Sequence, residues 1–310
     1  LALLAALAYG AAGLSIVRGK AAARGDNGVF LSVLVTAALS LALWLGWGQV
    51  SLGAAMTAAN MRPLLAFVLA GVASIALGRA LMYRATESIG AVRASLLRRL
   101  TPVFALPCAF FLLGELPDAQ TLLGGVLILA GVAFYLRRSG GRADVPAVGL
   151  ILGAGSALFY ALAYALRRLG LETLPDAAFG ALVGAVAGGA WVVAAAAFGR
   201  RPVRRLRGLI ADRGLWHWFT AVMLSIGQVL QFFALKSASV AVVAVLGTLE
   251  VFFSALLVMV FLRSERVAGG RLLIAALMAV AGTALVSKFA GVTVVWLIMA
   301  WRIRRRAVAN

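Results

Sequence analysis

Hydrophobic positions gather into ten apolar stretches, at 1–17, 29–48, 64–82, 89–112, 119–136, 146–166, 177–198, 215–235, 240–261 and 268–287, separated by short arginine-rich or glycine- and proline-bearing breaks. Each stretch is close to the ~20 residues an α-helix needs to cross the hydrocarbon core of a bilayer. The pattern predicts an all-α integral membrane protein of ten transmembrane helices and leaves no room for a water-soluble catalytic domain. Short connections make successive helices antiparallel neighbours. The longest basic connection, RRPVRRLRGLIADRG from Arg200 to Gly214, is expected on a membrane surface.

A repeat underlies this series. Sliding the chain against itself by 150 residues lays YRATESIGAV, from Tyr83, over FALKSASVAV, from Phe233. The same offset lays FFLLGE, ending at Glu115, over VFLRSE, ending at Glu265, and Arg18 over Arg168. One offset holding at three separated places argues for two halves of five helices, residues 1–136 and 146–287, joined by a linker at 137–145 and followed by a segment at 288–310. An odd number of spans per half inserts the second copy upside down. Inverted repeats of this kind are the architecture of secondary transporters, with the site between the halves near mid-membrane. Gly124, Gly125 and Gly131 in the fifth span and Gly184, Gly188 and Gly189 in the seventh predict close helix packing.

Composition narrows the function. Hydrophobic residues are 64% of the 310 and charged ones 13%, with a mean hydropathy of +1.03, which cannot supply the polar shell of a soluble protein. In a soluble chain a net charge of +19 would suggest nucleic acid, but these cations lie in the breaks, beside lipid headgroups, so no nucleic-acid partner is expected. Cys108 has no partner for a disulfide or a thiolate metal site and reads as a packing residue. His217, between Trp216 and Trp218, reads as part of an interfacial belt. No phosphate-binding loop, HExxH sequence or nucleophile motif accompanies these residues, so neither an enzyme, a metal nor another cofactor is expected, and transport would be driven by gradients. No cleavable signal peptide is expected, because the first apolar run is followed by another span.

The chemistry sits inside the bundle. Arg98 and Arg99 in SLLRRLTPVF fall near the middle of the fourth span, where a charge costs on the order of 3 kcal/mol and usually faces a cavity or a partner. The repeat offset carries Leu100 onto Glu250 of the ninth span, so opposite charges occupy corresponding depths of symmetry-related helices. In one reading an arginine meets a substrate carboxylate while Glu250 meets an ammonium group or a proton; in another the ions only pair with each other; in a third, a shifted register lets the arginines snorkel outward. On a regular helix the two adjacent arginines would point about 100° apart and could not both face one cavity. Pro102 and Pro107 are helix-bend candidates beside these charges. Gln228 and Gln231, three apart in the eighth span, could bind a ligand or cross-link helices. Of the aromatics Tyr9, Tyr83, Phe159, Tyr160, Tyr164 and Trp191, Tyr83 is the substrate-contact candidate and the rest read as packing or anchors. Arg79, Arg84, Arg167 and Arg168 read as headgroup contacts, and Glu115 and Glu265 as partners of nearby arginines or helix termini.

These residues resemble the EamA-type half-module of the drug/metabolite transporter superfamily. The resemblance rests on Ala80–Tyr83, the small-residue turn Thr86–Ala91, the pair Thr101–Pro102, Leu113–Glu115 and the glycine-bearing fifth span ending near Tyr135; in the second half it rests on Ala234–Lys236, the span Ala241–Leu262 and Glu265. The second half departs from the pattern at Phe252, which stands opposite Pro102, and at Arg263–Ser264, which replaces Leu–Gly. The resemblance implies a multi-pass protein of the bacterial inner membrane that exports or exchanges small metabolites, and in length and form it is similar to bacterial amino-acid exporters, aromatic ones included. The expected partners are therefore a zwitterionic amino acid and membrane lipids, with the monomer as the working unit and protons or substrate exchange as coupling. Exchange of phosphorylated sugars or other organic anions, or lipid handling by a membrane enzyme, are the alternatives. The resemblance places the N-terminus in the cytoplasm, whereas the Lys and Arg excess in the loops after odd-numbered spans favours the opposite. Residues 291–301 could form an eleventh helix, a surface segment or an extension of the tenth span.

Overall fold

A computed structural model describes residues 1–20, 22–89, 97–136, 146–250, 252–253 and isolated positions up to 285. The linker at 137–145, Arg263–Glu265, most of the tenth span and the tail lie outside the described residues, as do the side chains of Tyr83 and Tyr135. The helices are α1 (Ala2–Lys20), α2 (Val29–Trp47) and a one-turn α3 (Leu52–Ala55). A continuous third span follows, built from a 3₁₀ turn (Ala58–Asn60), α4 (Met61–Gly71), a π-helical segment (Val72–Gly78) and α5 (Arg79–Ile89). Beyond it come α6 (Thr101–Leu113), α7 (Ala119–Leu136), α8 (Ala147–Thr173), α9 (Ala177–Ala197), α10 (Pro202–Leu209), α11 (Leu215–Ser237) and α12 (Val240–Gly247). Among the described residues there is no strand, and five helices are long and apolar enough to cross a membrane: Val29–Trp47, Ala58–Met82, Ala147–Thr173, Ala177–Ala197 and Leu215–Ser237. Ala2–Gly13, Thr101–Leu113 and Ala119–Gly131 are shorter apolar helices.

The packing has a pseudo-twofold plan. The first helix of each half lies on the third helix of the other: α1 on α11, and α8 on the third span. The two second helices, α2 and α9, pack on each other, and each also touches the other half's third helix. The offset of the sequence repeat recurs in the capping chemistry. Asp26 accepts from the backbone N–H groups of Gly28 (3.1 Å) and Phe30 (2.7 Å) where α2 begins, and 150 residues later Asp176 accepts from that of Phe179 (2.9 Å) where α9 begins. Asp176 also accepts from Gln49 N (2.7 Å) and Val50 N (3.2 Å), just past the end of α2. The start of α9 thus lies at the end of α2, so these equivalent helices of the two halves run in opposite senses.

Acidic side chains tie each end of the bundle. At the end where α2 begins, Asp212 accepts from the backbone N–H groups of Arg24, Gly25 and Asn27 at 2.6–2.9 Å. Burial works against this charge, but the three donors hold its carboxyl below the usual value. Asp26 makes fewer such bonds, and burial pushes its carboxyl up. His217 is buried here and not in an exposed belt: its Nδ1 accepts from Gly214 N (3.1 Å), and Gly19 and Gly28 pack against its ring, while Trp216 and Trp218 keep the exposed positions. At the opposite end Arg168 donates to Glu115 (3.1 Å) and to the carbonyls of Leu235 and Lys236, and Glu115 accepts from Val240 N where α12 begins. Glu115 thereby does serve an arginine and a helix terminus. The sixth span was expected to stop at 166; α8 runs on to Thr173 because Arg167 and Arg168 find partners inside the protein rather than in headgroups.

Small residues set the interhelical distance. A methyl group on Gly71 would collide with the carbonyl of Gly184, so the third span and α9 meet backbone to backbone. Phe67 is fully buried, its ring seated on Gly170 of α8 and Gly180 of α9, and lies 6.2 Å from the ring of Phe232 on α11. Cys108 packs against the same core. The basic connection forms the exposed helix α10, with Pro202 in its first turn and Arg204, Arg205 and Arg207 outward.

Candidate functional site

The fourth and ninth spans are each interrupted at the same level of the repeat. Helical turns at Leu97–Arg98 give way to a non-helical turn at Arg99–Leu100 before α6 begins at Thr101, and α12 gives way to a turn at Thr248–Leu249 before Glu250. A threonine hydroxyl takes up a carbonyl at each break: Thr101 Oγ1 donates to Arg98 O (2.6 Å), and Thr248 Oγ1 to Val245 O (2.7 Å). Pro102 falls in the first turn of α6, where its missing N–H costs nothing, so it starts a helix rather than bending one. Pro107 lies inside α6.

The ionic residues of the two breaks meet. Arg98 Nη2 donates to both oxygens of Glu250, at 2.6 and 2.7 Å, and Arg99 Nη1 lies 3.6 Å from Glu250 Oε2. Both neighbours reach one carboxylate, against the expectation for a regular helix, Arg98 at hydrogen-bond distance and Arg99 at 3.6 Å. Arg99 and Glu250 are nearly buried, whereas Arg98 keeps 31% of its side-chain surface open. The Arg98 guanidinium also stands 6.0 Å from the ring of Tyr160.

One helical turn further along α8, a second polar group begins. Arg167, 3% exposed, donates to Gln231 Oε1 (2.5 Å) and to Ser74 Oγ (2.9 Å) on the π-helical segment, between the rings of Tyr164 and Phe232. Gln231 Nε2 donates in turn to Tyr164 Oη (2.6 Å). Arg167 is therefore no headgroup contact. Arg79 is half-buried and donates to Ser32 Oγ (3.3 Å). Tyr9 lies against Gly227, within electrostatic range of Tyr160, Tyr164, Arg167 and Glu250. Gln228 is buried, and among the described residues its Nε2 has no hydrogen-bond partner. Trp191 is exposed. Of the candidate residues, Arg98, Arg99 and Glu250 form one group, Gln231 joins the second, and Tyr83 cannot be assigned to either because its side chain lies outside the described residues.

The pattern of the EamA-like transporter family matches residues 1–137 and again residues 147–288. The chain belongs to that family. No curated protein matches it significantly. A crystal structure described only as that of a protein shares the fold with a TM-score of 0.72 at 18% identity, covering 92% of this chain and 95% of the other. This EamA-like protein is thus a multi-pass membrane protein of a transporter family. Its two matched stretches contribute the two interrupted spans, one each.

Sequence reasoning missed Arg167, Ser74, Tyr160, Tyr164 and Tyr9 as neighbours of the charged group. Arg167 follows the apolar stretch and reads as its boundary; the one available signal was the repeat offset, which places Val17, an apolar residue, opposite it. Ser74 carries no signal, since a lone serine in a span ordinarily bonds its own helix, as Ser74 also does through Ala70 O (2.8 Å).

Proposed function

We propose that this EamA-like protein is a secondary active transporter of ten membrane-spanning helices in two inverted halves, exporting amino acids or related small zwitterionic metabolites across a bacterial inner membrane. The single observation that carries this reading is the ion pair joining the breaks of the fourth and ninth spans. Interrupted helices at mid-membrane leave backbone groups and charges free to meet a substrate, and equivalent breaks in inverted halves put the site on the axis about which access alternates. A zwitterion can exchange with the resting pair: its carboxylate takes Arg98 and Arg99 while its ammonium group takes Glu250, so no buried charge is left bare during the exchange. With the substrate gone, the arginines and Glu250 rejoin. A proton on Glu250 is the alternative occupant of the carboxylate and gives coupling to a pH gradient, with no cofactor and with the monomer as the working unit.

The test is flux of labelled neutral, aromatic and acidic amino acids in proteoliposomes under imposed pH gradients, beside Glu250→Gln. Saturable flux whose dependence on the gradient disappears in Glu250→Gln is the expected result. Saturable flux with the gradient response intact in that variant removes Glu250 from coupling. Absence of flux for every amino acid with correctly folded protein removes the amino-acid reading.

A further inference from the structure

The interior polar groups are unbalanced in charge. Glu250 is the acid facing Arg98 and Arg99, and among the described residues no ion pair reaches Arg167, whose contacts are an amide oxygen, a hydroxyl and two ring faces. An uncompensated guanidinium is expensive in so dry a place and normally finds an anion. The imbalance extends to hydrogen bonds. Among the described residues, Arg99 Nε, Arg167 Nε and Gln228 Nε2 are buried donors without an acceptor. Three unfilled donors, two of them on cations, ask for a ligand made of acceptors and negative charge. A neutral zwitterion brings one carboxylate and one ammonium, and leaves Arg167 as it was.

We infer that this interior is a two-point receptor for a small dicarboxylic metabolite, amino dicarboxylates included, with one carboxylate received at Arg98 and Arg99 and the other at Arg167. The inference rests on the transporter reading above and names its substrate class. The two receiving points are joined by one face of α8. Arg98 stands 6.0 Å from the ring of Tyr160 and Arg167 5.9 Å from that of Tyr164, and these two tyrosines are one helical turn apart, about 6 Å along the axis, the scale of a short-chain diacid. Gln231 supplies an amide group at the second point, and Gln228 is buried about one turn from it on α11. An ammonium group on the ligand, where present, goes to Glu250. Arg79, half-buried further along the third span, extends the positive field toward the end of the bundle where α2 begins, which favours entry of an anion over that of a neutral ligand.

The test separates binding from flux. The detergent-purified protein is titrated with glutamate, succinate, leucine, phenylalanine and sulfate while its thermal unfolding is followed, beside Arg167→Gln and the charge-keeping Arg167→Lys. Glutamate and succinate should stabilise the wild type at concentrations at least tenfold below leucine or phenylalanine. Arg167→Gln should weaken the two diacids by roughly 10- to 100-fold, the range of a lost charge-assisted hydrogen bond, and Arg167→Lys should restore part of that. Equal stabilisation by leucine and glutamate, or by sulfate and succinate, overturns the inference, as does an equal loss for leucine and glutamate in Arg167→Gln. Wild-type binding decides the point even where the variant unfolds. Flux in proteoliposomes is read separately: diacid binding without flux of any substrate removes the transporter reading and keeps the receptor, and saturable flux confined to neutral amino acids removes the receptor and keeps the transporter.

Discussion

Glu250 is the residue whose loss the bundle can least absorb, because two guanidiniums lean on its one carboxylate. In Glu250→Gln the amide can still accept a bond from Arg98, but the charge of the pair is left uncompensated, and breaking a buried pair from one side typically costs about 3–5 kcal/mol. Arg98 keeps 31% of its surface open, so solvent recovers some of that and the lower end of the range applies. Removing both partners leaves less charge to bury. The double variant Arg98→Gln/Glu250→Gln is therefore expected to be less destabilised than the two single effects added together, by about 1 kcal/mol or more, in a double-mutant cycle of denaturant unfolding in detergent. Strict additivity would mean that the two ions do not interact in the folded protein. The same cycle on Arg99, 3.6 Å from the carboxylate and offering no tight bond, should give a smaller coupling.

At the scale of the helix, small residues decide how near the spans come, and Gly71 is the tightest point between two spans among the described residues: a methyl there would enter the carbonyl of Gly184 across the interface. Gly71→Ala is expected to push the third span from α9 and destabilise the fold by about 1–3 kcal/mol, the range for overpacking. Gly53→Ala, at a glycine with open space around it, should be close to neutral, and thermal unfolding of the two variants beside the wild type checks the contrast. Helices of this kind were legible in the sequence because an apolar stretch of bilayer length has one stable form in lipid. Gly184 and Gly188 could be read as packing points, since lipid rewards only close approach. The pairing of Arg98 with Glu250 was legible through the repeat, which set the two residues at one depth. Arg167 was not, because hydropathy records where an apolar run stops and carries no information about which neighbour stands beside the first charge after it. Nor were the breaks at Arg99 and Thr248 legible: a one-turn interruption leaves hydrophobicity unchanged, and Pro102 reads equally as a bend or as the first turn of a new helix.

At the scale of the whole molecule, the pseudo-twofold plan makes two contacts equivalent. Tyr9 of α1 lies on Gly227 of α11, and Tyr160 of α8 lies on Gly78 of the third span; moving either pair by the repeat offset brings it within one residue of the other. In a bundle that opens its two ends in turn, such contacts exchange roles, and the balance between the two openings is a difference between two similar packings. A methyl on Gly227 would stand 2.8 Å from the Tyr9 ring and loosen α1 from α11, whereas one on Gly78 would meet the Tyr160 ring at an ordinary 3.4 Å and press only on the Ala73 carbonyl of its own span, at 3.1 Å. The penalty at Gly227 falls on one half-interface and leaves its symmetry mate intact. Gly227→Ala is accordingly expected to shift the resting equilibrium while Gly78→Ala leaves it near the wild-type ratio, and a penalty of about 1 kcal/mol corresponds to a roughly fivefold change in the ratio of the two states. Spin-label distances read this at both ends of the bundle, with labels at Ser51 and Ser237 for the end where α9 begins and at Arg24 and Arg204 for the other, in a Cys108→Ser background. An equal shift in both variants, or none in Gly227→Ala, would mean that the Tyr9 contact does not set the balance, and the equivalence of the halves would then be a matter of architecture without a part in the motion.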